Sequence, residues 1–141
     1  MNSTISTQAR NVNWLLSSFV ENTAGVEQSI AVSSDGLLMA ASSNLDRASA
    51  DKMAAIVSGL RSLSDGASRV LAKGAVSQVV VEMRNGFLFA STISGGSSLG
   101  VIARRDCDLG LVGYEMTLLV ERFGHQLTPE LIAELKASLS L

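Results

Sequence analysis

The sequence predicts an α/β (α+β) domain, in which antiparallel strands form a sheet with helices on both faces. Three observations predict it. Asp35-Gly36 and Asn85-Gly86 each separate two apolar runs, and such pairs tolerate the positive φ angles of a tight hairpin. Between the two hairpins lies a long stretch whose apolar residues recur at helical spacing. Finally, several strand segments are apolar on both sides: Val80 opposes Val79 and Val81, and Leu88 opposes Phe87 and Phe89. A sheet with one wet face would alternate more cleanly, so both faces need cover.

The elements follow in the order αββαβββα, plus a short C-terminal helix. The first helix spans about Gln8 to Asn22, with Val12, Leu15, Leu16, Phe19 and Val20 on one face and Trp14 off that stripe. Gly25 marks its stop. Val26 to Val32 and Leu37 to Ala41 make the first hairpin. The long helix starts at Asp46 or Ser49 and reaches Leu71, with Met53, Ile56, Val57, Leu60, Leu63, Ala67, Val70 and Leu71 as its stripe. Gly59 lies inside it at a cost of about 1 kcal/mol against alanine, and a glycine there permits close approach by another backbone. Gly66 weakens or bends the last turns. Ala75 to Met83 is the strongest strand signal, Phe87 to Ile93 returns from it, and Gly95 to Ser98 turns into Leu99 to Arg104. A third helix, capped by Asp106 or Asp108, runs to Phe123 along Leu109, Val112, Met116, Leu119, Val120 and Phe123, with Gly124 as its stop. Thr128 caps the last helix, Pro129 takes its first position, and Leu131, Ile132, Leu135 and Leu139 line one face. Residues 8–141 read as one domain after a flexible stretch, 1–7.

Composition narrows the function. The chain is 47% hydrophobic but only 4% aromatic, so its core is aliphatic. Mean hydropathy is +0.32; a domain this small buries a limited share of its surface, so part of that apolar surface meets a partner. A net charge of −2 offers no field to a phosphate backbone, so nucleic acid is not an expected partner. The single cysteine, Cys107, suits a reducing compartment. The start lacks a secretory signal and no apolar run reaches the roughly 20 residues a membrane helix needs. A cytoplasmic protein without membrane insertion is expected.

The motifs give no catalytic or metal site. Gly95 and Gly100 are spaced like phosphate-loop glycines, but Val101-Ile102 stand where Lys and Ser/Thr belong, and a strand follows instead of a helix. His125, the one histidine, lies in a polar link far from any nucleophile elbow. One His and one Cys cannot fill a zinc shell, and Asp106 and Asp108 are more simply caps. Cys107 begins a helix, where a thiol pKa can fall, yet a half-buried structural residue is the simpler reading. Nothing brings Glu82 and Glu115 together. Trp14 either anchors a partner or packs on a neighbouring helix. No cofactor is expected. The strand Ala75 to Met83 carries few charges; at a sheet edge it is an unprotected pairing site, which a two-fold dimer would close.

Trp14-Leu15-Leu16, Val26 to Val32 and Ser34-Asp35-Gly36-Leu37-Leu38 resemble the start of the roadblock/dynein-light-chain family. Ala54-Ala55-Ile56 with Ser58-Gly59-Leu60, Val80-Val81-Glu82-Met83 with Gly86 and Leu88-Phe89, and Leu111-Val112-Gly113-Tyr114-Glu115-Met116 extend the likeness from about Val12 to Leu139. The pattern is most similar to the MglB-like actinobacterial branch, from operons with a sensor-kinase-like protein and a small Ras-like GTPase. The resemblance implies a profilin-like roadblock fold with a five-stranded antiparallel sheet, and a homodimer formed by the third strand and the long helix. Its interface residues would be Ile56, Gly59, Leu60, Leu63, Val76, Gln78, Val79, Val80 and Val81. It implies no enzyme, but a regulator that binds the GTPase and repositions the GTPase's own catalytic groups without an inserted arginine finger. Ser58, Arg61, Ser62 and Asp65 are the expected contacts with the GTPase, or plain solvated residues; the C-terminal helix is a second contact candidate, or packs on its own domain. A sensor-kinase-like protein is a further implied partner. The alternatives are a scaffold that tethers signalling proteins without changing GTPase rates, and a small-molecule sensor, which needs a polar-tipped apolar pocket.

Overall fold

The computed structural model describes residues 6–139. Its elements are α1 (Thr7–Asn22), β1 (Val26–Val32), β2 (Leu38–Ala41), α2 (Arg47–Leu71), β3 (Gln78–Met83), β4 (Gly86–Thr92), a 3-10 turn (Ser94–Gly96), β5 (Ser98–Arg104), α3 (Leu109–Gln126) and α4 (Pro129–Leu139). The strands form one antiparallel sheet in the order β2-β1-β5-β4-β3. Residues 1–5, most of the stretch expected to be flexible, lie outside the described residues. Ser6 is the N-cap of α1, its hydroxyl accepting from the Ala9 N–H at 3.1 Å.

The doubly apolar strands have the two covers they require. On one face, Phe87, Phe89, Leu99 and Val101 pack with Leu16 and Phe19 of α1 and with Val112, Met116 and Phe123 of α3. On the other, Ile30, Val32, Leu88 and Ala90 pack beneath Ala50, Ala54 and Val57 of α2. Gly100, in β5, lets α2 settle onto the sheet: a Cβ there would stand 2.8 Å from the Val57 Cγ2 and 3.1 Å from the Ile30 Cγ1.

The two sheet edges differ. β2 is nearly all buried, and α4 packs along it. Leu131 and Leu135 reach the α1–α3 core, while Leu139 reaches the α2 core, so α4 wraps the edge from one layer to the other. Two of its side chains hold it there. The Glu134 carboxylate accepts from the Ser6 N–H at 2.7 Å and the Ser6 hydroxyl at 2.8 Å, and Lys136 pairs with Asp35 at 3.0 Å. β3 has no such cover, and its residues are exposed or half-buried.

Several boundaries correct the sequence reading. β3 begins at Gln78, not Ala75, and β2 at Leu38, not Leu37. Gly124 does not stop α3, which runs on to Gln126 because the Leu127 N–H still reaches the Phe123 carbonyl at 2.9 Å. His125 is therefore in a helical turn and not in a link. Leu109, placed on the buried stripe of α3, is exposed: it occupies the first position after the cap Asp108, ahead of the turn that reaches the core.

Two measurements check this packing. Gly100→Ala overpacks the α2–sheet contact and is expected to lower the unfolding free energy by about 1–3 kcal/mol in urea titrations. The Glu134 carboxyl is held below its ordinary 4.5 by the Ser6 backbone N–H and then the Ser6 hydroxyl. Asp35 is held below its ordinary 3.8, first by the Ser33 hydroxyl and then by Lys136. Both are depressed in the fold, so their contribution is complete above the ordinary values and is lost as pH falls through the lowered ones. The Tm of Glu134→Gln should lie below that of the unaltered protein at pH 7, with the gap closing as pH falls below the ordinary carboxylate range.

Candidate partner-binding surface

The residues singled out for binding converge on α2 and β3. The Asp46 carboxylate caps α2 by accepting from the Ser49 N–H at 3.1 Å. The helix ends at Ala72 in the left-handed region, φ 53°. Along it, only Ala50, Ala54 and Val57 are fully buried. The expected stripe therefore splits: Val57 faces the core, Met53 and Leu60 are half-buried, and Ile56, Leu63 and Val70 point outward, 53%, 76% and 82% exposed. At 3.6 residues per turn, Gly59 and Gly66 alternate with these three along the same outward line.

Gly59 has no internal reason to be glycine, since a Cβ there would meet nothing within 4 Å. The cost of a helical glycine is thus not offset inside the chain. Of the other implied interface residues, Gln78 and Val80 are exposed on β3, and Val76 is half-buried. Val79 and Val81 are half-buried against the α2 core.

Ser58, Arg61, Ser62 and Asp65 lie on a different face of α2 from Ile56, Leu63 and Val70. All four line one cavity of about 170 Å³, closed by Ser33 and Ser34 of the β1–β2 turn and by Gly96 and Ser98 before and within β5. Two turn glycines bring these segments together. Gly36, φ 84°, leaves room for Ser58, whose Oγ would lie 2.9 Å from an added Cβ; Gly96, φ 95°, would place a Cβ 3.2 Å from the Ser34 Cβ. Arg61 ties α2 to the segment entering β5, beside the β1–β2 turn. Its Nε pairs with Asp65 at 3.6 Å, and its Nη1 donates to the Ser98 hydroxyl at 3.4 Å and the Ser97 carbonyl at 3.5 Å. These bonds are long, so the guanidinium keeps donor capacity. The cavity pairs one cation and one anion among hydroxyls. That suits polar recognition, and it holds no nucleophile and base arranged for a reaction.

The remaining candidates stay apart. The Cys107 thiol is pushed up, first by burial and then by Asp106 and Asp108, opposite to what nucleophilic activation requires. Glu82 pairs with Arg105 at 2.5 Å, while Glu115 lines a groove between α1 and α3. Trp14 is 64% exposed. Asp108 caps α3, accepting from the Leu111 N–H at 3.1 Å. Among the described residues no group of three or more His, Cys, Asp or Glu is gathered to hold a metal, and no helix is long and apolar enough to cross a membrane. The gathering of Arg61 with two distant turns was not legible in the sequence. Only the glycines in those turns signalled it.

Comparison with known proteins fits this geometry. The Roadblock/LC7 domain family model matches residues 12–103. A Roadblock/LC7 domain from Streptomyces avermitilis is 41% identical over 78% of this chain and 92% of its own, with a TM-score of 0.74. MglB of Myxococcus xanthus superposes with a TM-score of 0.75 over 82% of this chain and 93% of its own, at 14% identity. Profilin IA of Acanthamoeba castellanii does so at 0.52, over 81% and 97%, at 16% identity. Among curated proteins none matches. The model match covers β1 to β5 with α2 between them, and by it this chain belongs to the Roadblock/LC7 family.

Proposed function

We propose that two copies of this chain join through β3 and α2, and that the joined body binds a small Ras-like GTPase and modulates its nucleotide cycle. One observation carries the reading: an uncovered apolar surface, Ile56, Leu63 and Val70 on α2 with Val80 on the open edge, in a chain whose interior is otherwise well packed. Surface of this kind marks a protein contact. Membership of a family that includes MglB-like folds supports the choice of partner. The two faces of α2 divide the work. Its apolar line meets the second copy, and Ser58, Arg61, Ser62 and Asp65 meet the GTPase.

Arg61 is tied to Asp65 and Ser98 within its own chain. It is therefore not an extended finger for a γ-phosphate, and the chemistry stays with the GTPase's own groups. The protein's part is to hold those groups in place, which needs a rigid surface and no reactive side chain.

The test is GTP turnover and nucleotide exchange by a small GTPase from the same organism, with and without this protein. A changed rate is expected, with Ser62→Trp weakening the complex at least tenfold while the protein stays dimeric. Stable binding with unchanged rates would instead identify a scaffold, and absence of both binding and rate change would reject the proposal. Gly59→Ala separates the two roles of α2. It should strengthen the isolated helix by about 1 kcal/mol yet raise the dimer's dissociation constant in sedimentation, because the added methyl sits in the contact.

A further inference from the structure

The Arg61 cavity holds more donors than acceptors. Ser34, Ser58 and Ser62 line it, and among the described residues none of their hydroxyls is hydrogen-bonded. Ser98 is nearly sealed, 3% exposed. Its hydroxyl accepts from the Arg61 Nη1 at 3.4 Å and, among the described residues, donates to nothing. The Arg61 Nη2 likewise makes no hydrogen bond there. Gly96 sets no side chain beside it, since an added Cβ would stand 3.9 Å from Nη2. A guanidinium can only donate. Against these donors the chain sets one carboxylate, Asp65, which stands 3.6 Å from Nε, beyond a normal hydrogen bond.

We propose that this cavity receives a carboxylate, carried by an Asp or Glu side chain of the partner. The proposal rests on the GTPase reading above and gives that contact its chemistry. A carboxylate accepts two parallel bonds from an arginine fork, and its remaining lone pairs suit the hydroxyls around it. Charge selects a monoanion. Arg61 and Asp65 cancel, so a dianion such as phosphate gains no net attraction and is repelled more strongly by Asp65. A volume of about 170 Å³ admits a carboxylate with its methylene stem.

The openness of the cavity decides the source. Ser34 and Ser62 are exposed at its rim, so a small ligand would not be enclosed. A free anion would lose its translational and rotational freedom for a few bonds at an open site. A side chain on a protein already docked along α2 has lost that freedom with the rest of the interface. Arg61 needs no rearrangement to receive it, because Ser97 and Ser98 hold the guanidinium in place. Asp65 is the competing anion, and its long contact with Nε is the one an incoming carboxylate weakens.

The test is calorimetric binding of a small GTPase from the same organism to variants whose Tm and sedimentation are checked separately. Arg61→Gln should raise the dissociation constant at least about tenfold. Arg61→Lys keeps the charge without the planar fork and should fall between Arg61→Gln and the unaltered protein. Asp65→Asn removes the competing carboxylate and should tighten binding roughly two- to five-fold, a gain that misfolding cannot produce. If the GTPase binds the unaltered protein but Arg61→Gln changes affinity by less than about twofold, or Asp65→Asn weakens it, the carboxylate site is wrong while the GTPase reading survives. Acetate is the probe for a free ligand: saturation of the Arg61 Nε–H NMR shift below about 1 mM would overturn the side-chain source. Absence of any GTPase binding overturns both.

Discussion

A sheet has two edges, and this protein treats them oppositely. A free edge is a row of unspent backbone donors and acceptors, which folded chains blunt, cover or pair. At β2 the chain covers its edge with its own C-terminal helix, anchored by Glu134 to Ser6 and by Lys136 to Asp35. At β3 it leaves Val80 and Met83 exposed, with Glu82, the one charge within the strand, tied to Arg105. On the proposed dimer, the exposed line of α2 and the open space around Gly59 belong to the same contact as this edge.

On the proposed dimer, the asymmetry accounts for an α2 that is both long and glycine-bearing. A helix that only roofed a small sheet would need its Ala50, Ala54 and Val57 line and little else. This one continues beyond the last fully buried residue, with Leu63, Val70 and Leu71 in solvent. Leu63 and Val70 lie in line with Gly59 and Gly66, and small residues beside large ones let two helix backbones approach while their side chains interlock. Arg61, on another face, braces the helix against Ser97 and Ser98 at the entry to β5, so the two faces belong to one rigid body.

Much of this was legible in the sequence because local rules decide it. Asp35-Gly36 and Asn85-Gly86 gave both hairpins, and the doubly apolar strands foretold two helical layers. Asp46, Asp108 and Thr128 stood where caps are needed. What the pattern could not separate was the inside of the chain from its exposed apolar surface. Val57 and Leu63 belong to one helical period, yet one is fully buried and the other is 76% exposed, because periodicity records which residues avoid water and not what covers them. Gly124 misled for a different reason: the Leu127 N–H still reaches the Phe123 carbonyl past it, so the helix continues through the glycine. The strap role of α4 and the Arg61 cavity depend on residues far apart in the chain, which no local window contains.

The proposed function asks for no reactive centre in this chain. A regulator that repositions another protein's catalytic groups must hold its own surface still, since a displacement of about an ångström already costs a large factor in rate. Rigidity here comes from packing on both sheet faces and from a helix tied at its cap, along its buried line and through Arg61. On the proposed arrangement, pairing at β3 joins two such bodies through backbone bonds instead of flexible side chains. The two Arg61 cavities are then held at a fixed separation and orientation, so the pairing at β3 governs the shape offered to the partner as well as the strength of the dimer.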